Sequence, residues 1–135
     1  MRYWLLKTEP EEYSFADLER DGVAEWDGVT AAPAQANMRQ MAQADVCVIY
    51  HTGAERRAVG LATVARGPYP DPSDAAGRRV LVDLRADVPL PTPVTLSDLK
   101  GNPTFAASPL VRMGRLSVVP LSEEQFQELL RLSRV

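Results

Sequence analysis

The sequence holds one cysteine, Cys47, and one histidine, His51. A single cysteine excludes an internal disulfide, and a single histidine excludes an all-histidine metal site or a cluster of Cys and His ligands. Cys47 lies in the apolar run Val46-Cys47-Val48-Ile49, where it reads as a small buried hydrophobe. No apolar stretch reaches the roughly 18 residues that a membrane helix needs. The chain meets charge at Lys7 and Glu9, so its start does not read as a signal peptide. A soluble, cytoplasmic protein with no membrane partner is expected. There is no Gly-rich phosphate loop, no conspicuous Ser-His-Asp or Cys-His spacing and no internal repeat. No metal and no cofactor are expected.

Positive charge is also scarce. Fifteen Lys and Arg against eighteen Asp and Glu give a net charge of −3. A domain held to nucleic acid mainly by phosphate neutralisation is usually strongly basic, so a general backbone binder is disfavoured. The charge is uneven, however. Residues 1–50 hold Arg2, Lys7, Arg20 and Arg39 against nine carboxylates, whereas the remainder holds eleven basic residues against nine acidic ones. Arg56, Arg57, Arg78, Arg79, Arg112 and Arg115 form either a local basic face or a scatter of solvated arginines.

What is present suits one domain spanning residues 1–135. Hydrophobic residues make up 45% of 135, enough for a core that needs no metal or disulfide staple. Tyr3 to Lys7 reads as a strand. Ser14, with Asp17 three residues on, opens a helix that Gly22 ends. Glu25-Trp26-Asp27-Gly28-Val29 reads as a tight loop, because Asp-Gly favours a turn. Pro33 suits the first turn of a second helix. Val46 to His51 is a buried strand with Val59 to Val64 as its hairpin partner. Gly67 to Pro72 reads as a rigid loop, Arg79 to Arg85 as a half-buried strand, and Pro89, Pro91 and Pro93 as bounding the next connection. Thr95 with Asp98 and Ser122 with Gln125 are two further capping patterns, and Leu116 to Val119 is a late strand. Five or six strands and four short helices, with hairpin-like spacing after residue 45, predict an α+β fold around a curled, mainly antiparallel sheet or small barrel.

Three segments combine aromatic and polar groups. Lys7 and Glu9 share a face of extended chain, so they either pair with each other or converge on a ligand. Trp26, on its turn, is either a lid over the core or a stacking platform. Tyr50-His51-Thr52 ends a buried strand with three hydrogen-bonding side chains, for which a structural histidine is the ordinary reading.

Taken in order, Tyr3-Trp4-Leu5-Leu6-Lys7-Thr8-Glu9-Pro10, Tyr13-Ser14, Trp26-Asp27-Gly28-Val29, Tyr50-His51-Thr52-Gly53, Val59-Gly60-Leu61-Ala62, Pro68-Tyr69-Pro70-Asp71-Pro72, Thr95-Leu96, Leu110-Val111-Arg112 and Arg115-Leu116-Ser117-Val118 resemble the EVE domain family over essentially the whole chain. The resemblance implies a PUA-like fold related to the YTH and ASCH domains. It further implies a non-catalytic reader of RNA or DNA with a pocket for one flipped, modified base, such as modified cytosine or methylated adenine. One departure stands out. Where the family continues Trp-Asp-Gly-Val with Arg-Asn and a further Ala-Arg-Asn, this chain has Thr30-Ala31 and Ala34-Gln35-Ala36, although Asn37 and Arg39 follow.

On this reading Trp26 is the stacking platform and Tyr50 or Trp4 an opposing wall. Lys7, Thr8, Glu9, Ser14, Asp27, Val29, Asn37, His51 and Thr52 complete the base site, with Arg39, Arg56, Arg57, Arg112 and Arg115 toward the backbone. A base held out of its stack needs few phosphate contacts, so low net charge and nucleic-acid binding are compatible. A monomer is expected. Two alternatives are an ASCH-like amidohydrolase of acylated cytidine, using Lys7, Thr8 and Glu9, and a protein–protein adaptor. Against the enzyme, neighbouring strand residues point to opposite faces, and Glu9 is expected to raise the Lys7 pKa rather than lower it.

Overall fold

A computed structural model describes residues 1–135. In chain order the elements are β1 (Tyr3–Thr8), α1 (Phe15–Asp21), β2 (Val23–Trp26), α2 (Ala32–Met38), β3 (Val46–His51), β4 (Arg57–Pro70) and β5 (Val80–Thr95). They continue with α3 (Leu96–Lys100), a 3₁₀ turn (Pro103–Phe105), α4 (Pro109–Arg112), β6 (Val118–Leu121) and α5 (Glu123–Leu132). No helix is long and apolar enough to cross a membrane.

Local chemistry accounts for most of the helix boundaries. Ser14, Thr95 and Ser122 each accept a hydrogen bond from the backbone N–H three residues on, and the Asp17, Asp98 and Gln125 side chains each accept one from the cap residue's own N–H. Each reciprocal pair satisfies two of the N–H groups a helix start leaves free. In α2 the proline at position 33 supplies the first turn instead. The short α4 and the 3₁₀ turn have no counterpart among the expected helices. They are only one turn long, too short for a periodic signal.

The six strands form one sheet in the order β2-β5-β4-β3-β1-β6. Only the β1–β3 pair is parallel. Parallel neighbours need a long crossover, and the chain from Glu9 to Asp45 supplies it with α1, β2 and α2. The expected fold class is therefore what the structure has, with one qualification. The sheet does not close, because β2 and β6 are free edges. β6 carries Pro120, which lacks a backbone donor and is tolerated on an edge.

Two expected loops are strand instead. Gly67 to Pro70 extends β4, and Val88 to Val94 extends β5. The β4–β5 register shifts four times, between Ala58 and Gly60, Leu61 and Ala62, Val64 and Arg66, and Arg66 and Tyr69. Prolines fit at such irregularities, where no ladder hydrogen bond is lost, and bulges bend the strands that contain them. Trp26 is also not on a turn. It ends β2 opposite Val82 of β5, and the turn begins after it.

One core cluster joins all six strands to the helices, with Leu5, Leu6, Val48, Ile49, Leu84 and Leu129 fully buried. Gly60 of β4 has a steric reason. A Cβ there would lie 2.4 Å from the ring of Phe15, which α1 drops onto the sheet. Asp45 is 2% exposed and faces no cation. Its carboxylate accepts from the indole Nε1–H of Trp4 at 3.0 Å, from Arg2 N–H at 3.0 Å and from Ala42 N–H at 2.9 Å. Three donors stabilise the buried carboxylate and tie the start of β1 to the start of β3. Asp45→Ala leaves three donors unmet in the interior. It is expected to lower stability by about 3 kcal/mol in urea unfolding, with Leu substitutions at exposed Arg20 neutral in the same assay.

Candidate base-binding site

β2 and β6 are the two ends of the sheet order, and β2 and the residue just before β6 border one cavity of about 400 Å³. Glu25 and Trp26 reach it from β2, Lys7 and Thr8 from β1, and Ser117 from the residue before β6. The open seam of the curled sheet is thus the place where the chain leaves space. The loop Asp27-Gly28-Val29 and the segment Glu9 to Tyr13 complete the wall.

Trp26 is only 5% exposed, so its ring is both part of the core and a wall of the cavity. A place in the core and a place on the cavity wall are compatible for this ring. Every buried side-chain nitrogen and oxygen has a hydrogen-bond partner within the protein. The Trp26 indole N–H donates to no protein atom, so it is not sealed in, and Trp26 lines the cavity. Tyr13 meets Trp26 edge-on, with centroids 6.2 Å apart and planes at 79°. The Tyr13 hydroxyl donates to Asp21 Oδ2 at 2.7 Å, which fixes the ring. Desolvation, helped by that bond, pushes its pKa up to about 12. The second aromatic wall is therefore Tyr13, not Tyr50 or Trp4.

Gln35 holds the loop in place. It is 3% exposed, donates to Val29 O at 2.7 Å and Val80 O at 3.2 Å, and accepts from Val80 N at 2.9 Å. The position where the chain departs from the family pattern thus clamps the strand β5 start to the end of the cavity loop.

The cavity is rich in acceptors. Glu9, Glu12, Glu25 and Asp27 line it against one cation, Lys7. Lys7 and Glu9 do not pair. Lys7 Nζ donates to Gly114 O at 2.9 Å, and Glu9 accepts from Thr52 Oγ1 at 3.2 Å. The Lys7 pKa is lowered by burial, contrary to the expected influence of Glu9. Lys7, Thr8 and Glu9 also border the same cavity despite their adjacency, because the strand ends at Thr8. They do not contact one another: the Thr8 hydroxyl donates to Tyr13 O at 2.6 Å.

Other expected site residues lie elsewhere. Trp4 is tied to Asp45 in the core. Ser14 caps α1. Asn37 donates to Val118 O at 2.8 Å. His51 accepts from Phe15 N–H through Nε2 at 3.0 Å, which places its proton on Nδ1 facing Glu55 Oε1 at 3.0 Å. Tyr50, with Thr52 beside it, borders a different recess. The arginines are dispersed. Arg39 bonds to Arg78 O, Arg57 to Glu55 and Arg112 to Ala106 O. Arg115 borders an apolar groove beside Met113 and Leu116. Only Arg56 shares a recess with Lys7. Sequence reasoning missed Glu12, Tyr13, Glu25, Gln35 and Ser117. Tyr13 and Ser117, which stand in the family pattern, and Glu25, beside Trp26, were the ones with a visible signal.

Removing the clamp is expected to matter more for shape than for charge. Gln35→Ala leaves the Val80 N–H and two carbonyls unpaired. The expected result is a loss of about 2 kcal/mol in urea unfolding and faster amide exchange at Gly28 and Val29.

A profile of the EVE domain family matches residues 2–132. No match is found among curated proteins. Among solved structures, Rpa0253 from Rhodopseudomonas palustris is 37% identical, with a TM-score of 0.94 over 99% of this chain and 94% of that one. Atu2648 from Agrobacterium tumefaciens is 37% identical, with a TM-score of 0.93 over 98% of this chain and 93% of that one. Human THYN1, solved in complex with 5-methylcytosine-containing DNA, is 24% identical, with a TM-score of 0.90 over 100% of this chain and 99% of that one. The open six-stranded sheet with its short flanking helices and the family match over nearly the full length agree, and the chain belongs to the EVE domain family.

Proposed function

We propose that this protein binds DNA as a reader of one extruded, modified base, held in the Trp26 cavity with its amino edge toward the carboxylates. The observation on which this rests is an indole that walls an open cavity and keeps its N–H free. A flat ring stacked on such a face gains roughly 1–3 kcal/mol. Extrusion of the base costs a few kcal/mol, which the pocket must recover by stacking and edge contacts. Glu25 and Asp27, both unpaired by any cation, are acceptors for an exocyclic amine. Carboxylates accept from cytosine N4 and not from thymine O4, itself an acceptor. Cytosine and adenine present such an amine and thymine does not. The 5-methylcytosine DNA bound by human THYN1 supports the cytosine choice. A methyl group on the ring is sensed by shape and needs no added charge.

Binding of single-stranded oligonucleotides that differ in one base, followed by fluorescence anisotropy, tests the reading. 5-Methylcytosine is expected to bind at least tenfold more tightly than thymine, which also carries a 5-methyl group. Trp26→Phe keeps an aromatic ring at the wall but shrinks the platform and removes the N–H, and it is expected to weaken 5-methylcytosine binding about tenfold. Equal affinity for the two bases, or an unaffected Trp26→Phe protein with an intact fold, overturns the reading.

An amidohydrolase draws support from Lys7, Thr8 and Glu9 on one cavity wall and from the lowered Lys7 pKa. The Lys7 amine is instead spent on Gly114 O and the Thr8 hydroxyl on Tyr13 O, so neither activates the other. N4-Acetylcytidine incubated with the protein is expected to remain intact by chromatography; release of cytidine favours the enzyme.

A further inference from the structure

Next to the base cavity lies a smaller recess of about 210 Å³, and Lys7 borders both. Its charge is opposite in sign. Three cations line it, Lys7, Arg56 and Lys100, and no carboxylate does. In a chain with eighteen carboxylates and fifteen cations, three cations sharing one hollow without an acidic partner are an exception. Neither Arg56 nor Lys100 makes a salt bridge, whereas the adjacent Arg57 is paired with Glu55. The one carboxylate that comes close, Glu9, packs against Gly53 at the rim and is engaged by the Thr52 hydroxyl.

Two further observations point to a ligand. Tyr50 is 3% exposed and lines the recess. Its hydroxyl donates to no protein atom, yet no sealed side-chain oxygen lacks a partner, so the hydroxyl is a free donor with access to solvent on a residue that lines the recess. Arg56 is held there by its backbone. It adopts φ 46°, a left-handed conformation uncommon outside glycine, and its carbonyl accepts from Leu96 N–H at 2.9 Å. That bond anchors the start of α3, whose last residue is Lys100, against the turn that presents Arg56.

We infer that the recess formed by Lys7, Arg56, Lys100 and Tyr50 binds a phosphate group, that of the nucleotide adjoining the base held at Trp26. Cations and a phenol O–H are donors only toward an anion, which is what a phosphate requires. The base cavity repels phosphate with its own carboxylates, so the two hollows sort base from backbone. Phosphate contacts of this kind set register and carry no sequence information. The inference rests on the nucleic-acid reading above, and its test separates the two.

Arg56→Asn with Lys100→Gln removes two charges. Asparagine tolerates the left-handed backbone and Lys100 is exposed, so the double variant is expected to fold, as thermal melting verifies. With the 5-methylcytosine and thymine oligonucleotides as probes, the variant is expected to lose roughly ten- to hundredfold in affinity for both. Their ratio stays the same, and the slope of log affinity against log salt falls by about 0.7 to 1. Inorganic phosphate, as a second probe, is expected to shift the amide resonances of Thr52, Gly53 and Gly114 in the unaltered protein and not in the variant. A folded variant that binds both oligonucleotides like the parent at every salt concentration overturns the inference. Phosphate shifts alongside that result mark a free-anion site only. A base ratio of one with a reduced slope sinks the base reading and keeps the recess. If neither oligonucleotide binds the unaltered protein, phosphate shifts at those amides keep the recess as an anion site and their absence overturns it.

Discussion

The architecture depends on one constraint: a six-stranded sheet must wrap a single core, and its two terminal strands are too short to meet along their length. β2 and β6 have four residues each. The bulged β4–β5 pair lets the sheet bend far enough that β2 and the residue before β6 border the same cavity, but a seam is left between the two edges. Closing the seam would abolish the free edges and also the cavity. The binding function proposed for this chain occupies the gap that incomplete closure produces.

The two tryptophans show how the same side chain acquires different roles from its partner. Trp4 finds a buried carboxylate, Asp45, for its N–H and becomes a tie between β1 and β3. Trp26 finds no partner, so its buried face packs on the core while its N–H stays available. A similar division separates the charges. Carboxylates gather around Trp26 and cations around Tyr50, with Lys7 on the border. In a net-negative chain this separation suits the proposed recognition of a nucleotide, because a few placed contacts can replace a broad basic surface.

Positions now accounted for by structure rather than function include some that looked functional. His51 presents a ring nitrogen to the Phe15 N–H, which is the natural use of a lone buried histidine. Asn37 secures α2 to β6 through Val118. Gln35, which stands where the family has a different residue, takes over the fixing of the loop after Trp26 and so shapes the cavity without facing it.

Sequence alone determined the features whose causes lie within a few residues. The capping pairs at Ser14, Thr95 and Ser122, the buried strand at Val46 to His51, the α+β class and the ordered motifs of the EVE family were all legible, because hydrogen bonds three residues apart and alternation of period two are local. Only the tertiary structure decided the rest. The proline-bearing stretches became strand because register shifts with β4 spared their missing N–H groups. Tyr13, Glu25 and Ser117 joined Trp26, and Lys7, Arg56 and Lys100 converged, because the sheet curled. Ser117 and Trp26, like Lys7, Arg56 and Lys100, are tens of residues apart in the chain, and the forces that unite them, burial of one shared core and the bend of a long strand pair, belong to no short segment of it.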